Sequence, residues 1–172
     1  FSANASILGT IELMGPTTIR CMANENGATF AAYLKGSIYG TGALQVASGF
    51  KDTNGMTFAA NNTYVGNTTL TGYVNLRNQG TLGSGTIANS GILTLNSESL
   101  GLGILLNQGT VNWASGDLGQ NAIANSGRFN VVKATDAVLS NSVVGAGRLN
   151  IANGTTIVVR AAVQQNSLSV MM

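Results

Sequence analysis

Charge is what this 172-residue chain has least of. Eight Lys and Arg stand against six Asp and Glu, and the chain has no His, one Cys and one Pro. Charged residues make up 8% of it, where an ordinary globular domain carries about 25%. Each shortage excludes something. Without His, the commonest general base and metal ligand is missing, and a serine nucleophile lacks its usual activating partner. Cys21, alone, can form neither an internal disulfide nor a thiolate metal cluster, and the expectation for it is an inert buried thiol. A single free Cys is compatible with secretion. The cations fall at positions 20, 35, 51, 77, 128, 133, 148 and 160, too dispersed to neutralise a row of phosphates, so no nucleic-acid partner is expected. No run of eighteen apolar residues exists, so no transmembrane helix is expected in this chain.

Neutral polarity is what abounds: 20 Asn, 18 Thr and 14 Ser beside 23 Gly, with hydrophobic residues at 44%. That apolar content with a net charge of only +2 predicts a folded chain.

The apolar residues are arranged in a repeat. Glycine, any residue, apolar, polar, apolar recurs as Gly9-Thr-Ile-Glu-Leu13, Gly42-Ala-Leu-Gln-Val46, Gly72-Tyr-Val-Asn-Leu76, Gly91-Ile-Leu-Thr-Leu95, Gly109-Thr-Val-Asn-Trp113, Gly127-Arg-Phe-Asn-Val131 and Gly147-Arg-Leu-Asn-Ile151. Counting along the last five glycines gives intervals of 19, 18, 18 and 20, against 33 and 30 for the first two. Alternation of period two marks a strand whose second and fourth residues share one face. The predicted core is therefore Leu44, Val46, Val74, Leu76, Leu93, Leu95, Val111, Trp113, Phe129, Val131, Leu149 and Ile151. The polar residue between each pair (Glu12, Gln45, Asn75, Thr94, Asn112, Asn130, Asn150) is expected to face out. Upstream, Asn89 and Gly91, Asn107 and Gly109, and Asn125 and Gly127 read as tight corners, because Asn and Gly adopt left-handed backbone cheaply.

A unit of about 19 residues cannot bury its apolar residues alone, but stacked units place Val74, Leu93, Val111, Phe129 and Leu149 in one continuous core. The predicted fold is all-β: a single-stranded parallel β-helix, or β-solenoid, of about eight to nine rungs and roughly 40 Å long at a strand spacing of about 4.8 Å. Residues 41–172 carry the repeats. Residues 1–40 are expected to form irregular N-terminal rungs or a cap.

Gly42-Ala-Leu-Gln-Val46, Asn61-Asn-Thr-Tyr-Val-Gly66-Asn-Thr-Thr69, Gly80-Thr-Leu-Gly-Ser-Gly-Thr-Ile87 and Gly91-Ile-Leu-Thr-Leu95 together resemble the passenger-associated repeat of bacterial autotransporter proteins. The match runs from Gly42 to Leu95, with Asn62–Thr69 its most specific part. What the resemblance implies is a right-handed parallel β-helix exported to the bacterial surface, acting as a stalk or adhesive rod.

Few residues offer chemistry. Glu98, Asp117 and Asp136 are separated by one rung each, so they form a candidate carboxylate column, with members about 5 Å apart, suited to Ca²⁺ or to a retaining glycosidase pair. Relative to their glycines, however, they drift along a loop, and Lys133 lies nearby, so solvated loop acids are the plainer expectation. Arg128 and Arg148 both follow their glycine and should stack, either fanned into solvent or bridged by an anionic glycan or a neighbouring subunit. Trp113 and Phe129 belong to the core register. Any glycan-facing aromatics would come from Tyr33, Tyr39, Tyr64 and Tyr73.

The function expected is a non-catalytic structural or adhesive β-solenoid segment of an exported cell-surface protein, extracellular, with no cofactor and a host or environmental glycan or protein as ligand. One alternative is a self-assembling extracellular filament or coat subunit stacking end to end, since the apolar stretch from Ile157 to Met172 carries one charge. Another is a carbohydrate-active β-helix of lyase or tailspike type using Glu98, Asp117 or Asp136.

Overall fold

The structure, a computed structural model, describes residues 5–21, 31–48, 55–97, 99–118, 122–152 and 156–170. The chain winds in successive rungs. The first holds β1 (Ala5–Ile7), β2 (Ile11–Leu13) and β3 (Thr17–Cys21), and the second β4 (Ala32–Leu34), β5 (Ile38–Gly40) and β6 (Leu44–Ser48). Four rungs of two strands follow: β7 (Met56–Phe58) with β8 (Thr68–Thr71), β9 (Tyr73–Asn78) with β10 (Ile87–Asn89), β11 (Ile92–Ser97) with β12 (Leu105–Asn107), and β13 (Thr110–Trp113) with β14 (Ile123–Asn125). Three-stranded rungs return with β15 (Arg128–Val131), β16 (Ala137–Leu139) and β17 (Val143–Val144), then β18 (Arg148–Ile151), β19 (Ile157–Val159) and β20 (Val163–Gln164). β21 (Ser167–Val170) opens a ninth.

Like strands of successive rungs pair in parallel. One sheet has nine strands in the order β1-β4-β7-β9-β11-β13-β15-β18-β21, the other eight from β3 through β6, β8, β10, β12, β14 and β17 to β20. This is a parallel β-solenoid. Among the described residues there is no helix, hence none long and apolar enough to cross a membrane. On the remaining side of each rung the backbone also bonds to its neighbour, as in Thr63 N–H to Ile38 O at 2.8 Å and Leu82 N–H to Leu100 O at 3.0 Å. Leu13, Ile38, Tyr64, Leu82, Leu100, Leu118 and Leu139 are buried there.

All twelve residues of the predicted core are buried. The register sets Val74 beside Leu93, Leu93 beside Val111, Val111 beside Phe129 and Phe129 beside Leu149. A fully buried side chain of this size is stabilising by about 1.5–3 kcal/mol, so the stacked column is a main source of stability.

Rung length is not constant. Glu12 and Tyr39, partners in register, are 27 apart in sequence, Ile38 and its partner Asn62 on the next rung 24, and Asn107 and Asn125 only 18. Residues 5–21 thus enter both large sheets, through β1 and β3, and residues 31–40 enter the nine-stranded one through β4 and pair β5 with β2, in rungs of greater perimeter. Two of the seven sequence copies belong elsewhere than their pattern implies. The copy after Gly9 becomes β2, which pairs only with β5, and the copy after Gly42 becomes β6 in the eight-stranded sheet, while the last five lie in the nine-stranded one.

Glycines explain the confusion, because they occupy two different corners. Along one corner Gly15, Gly42, Gly66, Gly85 and Gly103 stack; along another Gly72, Gly91, Gly109, Gly127 and Gly147 do. In each column a Cβ would overlap the carbonyl of the glycine one rung below. The gap between Gly42 and Gly72 is therefore a step between corners and not a rung.

Outward residues also depart from expectation. Glu12 and Gln45 are exposed and Asn112, Asn130 and Asn150 half-buried, but Asn75 and Thr94 are buried, at 3% and 9% exposure.

Candidate functional site

Strand alternation places Asn89, two residues after the core Ile87, on the inward side, and Asn107 and Asn125 repeat that placement one and two rungs on. All three are buried, and their amides are linked in series: Asn89 Nδ2 donates to Asn107 Oδ1 at 2.8 Å, and Asn107 Nδ2 to Asn125 Oδ1 at 2.7 Å. Each Nδ2 also donates to the first carbonyl of a strand of the nine-stranded sheet, at Thr110, Arg128 and Arg148. Gln165 Oε1 accepts from Asn125 and closes the series. Among the described residues no buried side-chain polar atom lacks a partner.

This corrects the reason given for the corners. Asn89, Asn107, Asn125, Gly91, Gly109 and Gly127 all have negative φ; the one non-glycine residue with positive φ among those described is Asn78. The asparagines are there to bond rungs to one another, and the glycines because the neighbouring carbonyl leaves no room for a Cβ.

A second amide series runs on the outward side of the nine-stranded sheet. Asn150 Nδ2 donates to Asn130 Oδ1 at 2.7 Å and Asn130 Nδ2 to Asn112 Oδ1 at 2.8 Å, with Thr94 Oγ1 beyond at 3.5 Å. Arg128 and Arg148 stand two residues upstream on the same side, opposite one another in the register and both exposed.

No protein-family model, no curated protein and no solved structure matches this chain. What it can do must be read from its own residues.

Two of the three candidate carboxylates, Asp117 and Asp136, fall within the described residues. Glu98 lies outside them. Asp117 sits at an isolated bridge to Ser99, beside Lys133, and Asp136 accepts the Thr156 backbone N–H at 3.0 Å. Among the described residues no three His, Cys, Asp or Glu are grouped to hold a metal ion. Lys133 is tied down: its Nζ lies 4.3 Å from the centre of the Trp113 ring and donates to Gly116 O at 2.8 Å. Desolvation lowers its pKa, and the Asp117 charge opposes that shift.

The aromatic candidates divide. Tyr64 is fully buried, contrary to the expectation of a glycan-facing ring; its hydroxyl meets Thr68 Oγ1 at 2.6 Å, and burial raises its pKa against that bond. Tyr33 and Tyr73 are half-buried, and exposed Tyr39 directs its hydroxyl to Glu12. Trp113 lies in the core and donates Nε1–H to Gly116 O. Cys21 is buried, and desolvation, partly offset by a backbone bond at Ala32, raises its thiol pKa, which suits packing and not nucleophilic attack.

One open groove of about 650 Å³ crosses three rungs, lined by Asn61, Thr63, Gln79, Thr81, Ser84 and Leu102 among others, with no titratable side chain among the described residues of its wall. Its floor is stapled by Asn62, which accepts the Ile38 N–H and donates to Thr81 O. Such a lining can hydrogen-bond a neutral ligand but offers no acid or base.

Proposed function

We propose that this chain is a non-catalytic structural or adhesive β-solenoid segment of an exported bacterial surface protein, of the autotransporter-passenger kind that Gly42–Leu95 resembles. The observation that carries the reading is where the polar side chains spend their hydrogen bonds. The Asn89–Asn107–Asn125 and Asn112–Asn130–Asn150 series run from rung to rung, along the solenoid. Polar groups used this way hold a rod together and present a repeating neutral surface; a catalytic site gathers them around one point. Neutral columns also suit stacking, since like charges at strand spacing repel. Antibody raised against the purified chain should label intact cells of the source organism, and external protease should remove the epitope. Labelling only after lysis would refute the reading.

A further inference from the structure

The paired arginines offer a ligand class for the adhesive reading. Arg128 and Arg148 open β15 and β18 in direct register, so their backbones are about 4.8 Å apart. Both side chains are exposed. Two cations held this close repel unless an anion lies between them, and none of the three described carboxylates serves. Glu12 accepts from the Tyr39 hydroxyl, Asp117 faces Lys133, and Asp136 accepts from Thr156. No interaction links either arginine side chain to another described residue.

Their surroundings specify more than an anion. Asn130 and Asn150 lie on the same outward side two residues along, within the amide series that Asn112 continues. In each linked pair one Nδ2 proton of the donor and one lone pair of the acceptor's Oδ1 are used, so donor and acceptor capacity remains on the face. In the register, Thr110 and Ser167 flank the arginines with hydroxyls. The result is two forked cations beside a row of groups that both donate and accept. Guanidinium forks match the two oxygens of a carboxylate or sulfate, and amides match hydroxyls, which also donate and accept. Two cations are too few to follow a nucleic-acid backbone.

We propose that this face binds an acidic polysaccharide, one carboxylate or sulfate bridging Arg128 and Arg148 while ring hydroxyls lie along Asn112, Asn130 and Asn150. The role of the site rests on the adhesive reading; its existence does not.

The test is immobilised-polymer binding by the purified full chain at low salt. The probes are polygalacturonate, dextran sulfate, neutral dextran and polyglutamate. Binding to polygalacturonate or dextran sulfate and not to dextran is expected, the stronger of the two naming the anion, with polyglutamate at least tenfold weaker. Replacing both arginines (R128Q/R148Q) should cut affinity at least tenfold, and R128K/R148K by less. Lys35→Gln, which removes a charge beside Tyr33, should change nothing. The bound polymer should raise the melting temperature of the parent and not of R128Q/R148Q. Unchanged affinity in that variant, equal loss in Lys35→Gln, polyglutamate binding as tightly as the polysaccharides, or no binding at all would overturn the site. Failure here leaves surface labelling of cells as an independent measurement, and failed labelling leaves the binding result intact.

Discussion

One inward column changes its chemistry halfway along the solenoid. Ile19, Val46 and Leu70 fill it in the first three rungs, and Asn89, Asn107 and Asn125 in the next three, each residue in register with the one before. The two halves are stabilised differently. Hydrocarbon in the first half needs only to be kept from water, and it does not matter which neighbour does so. Amides in the second half are favourable only as a complete set, because a buried amide without its partners costs about 1–3 kcal/mol for each group left unsatisfied. The first half accordingly tolerates long rungs of unequal perimeter, while the linked asparagines keep a constant sequence separation of 18. Shared register brings identical side chains into identical geometry, which a series of amides requires.

Substitution can break this contrast at several levels. The most severe change puts a charge where both halves depend on hydrocarbon: Phe129→Asp buries an unpaired carboxylate beside Val111 and Leu149 and should abolish the cooperative thermal transition seen by circular dichroism. Asn130→Asp, on the other side of the same strand, should still fold. It loses the donor to Asn112, so a cost of about 1 kcal/mol replaces the simple tolerance that full exposure would have given.

Next comes an exchange of column types. Asn107→Leu strips the Asn125 Oδ1 and Arg128 carbonyl of their donor and should cost about 3 kcal/mol in urea unfolding. Leu70→Asn should cost less than Val46→Asn, because its amide can reach Asn89 and lengthen the series, whereas Val46 lies between Ile19 and Leu70. If Asn107→Leu proves neutral, the amide series contributes nothing and the halves are energetically alike.

Glycines give the smallest effects. Gly109→Ala drives a Cβ into the Gly91 carbonyl and should cost about 2 kcal/mol through forced separation of rungs. Gly9→Ala, with nothing within 4 Å of the added carbon, should shift stability by no more than about 0.5 kcal/mol. Equal melting shifts would show that the close corner relaxes freely.

How much was legible follows the same division. From Gly72 onward the glycine interval stays between 18 and 20, so Val74, Leu93, Val111, Phe129 and Leu149 could be aligned from the alternation alone. The first two rungs are longer, 27 and 24 residues from Ala5 to Ala32 and from Ala32 to Met56, and the early columns share little beyond glycine. Met56, the actual neighbour of Val74, follows no Gly-x-apolar pattern that would have marked it. Asn89, Asn107 and Asn125 were visible as a motif but assigned to backbone conformation. Period two already placed each on the side of Ile87, Leu105 and Ile123, and that was the available clue. Position on the surface was harder to see. Arg128 and Arg148 stack as their spacing implied, but the amide series beside them becomes visible only once side-chain bonds are in hand.

Parallel pairing also decides how this molecule would respond to tension. The hydrogen bonds between rungs lie along the long axis, so a pull on the two ends loads them in series, and rungs should peel off singly. Each short turn of the amide-linked half would release about 60 Å of chain, and each long turn nearer the amino terminus about 90 Å, at the reach of an extended backbone. The resulting force trace would be a sawtooth with two tooth lengths, its highest peaks where Asn89, Asn107 and Asn125 tie successive turns together.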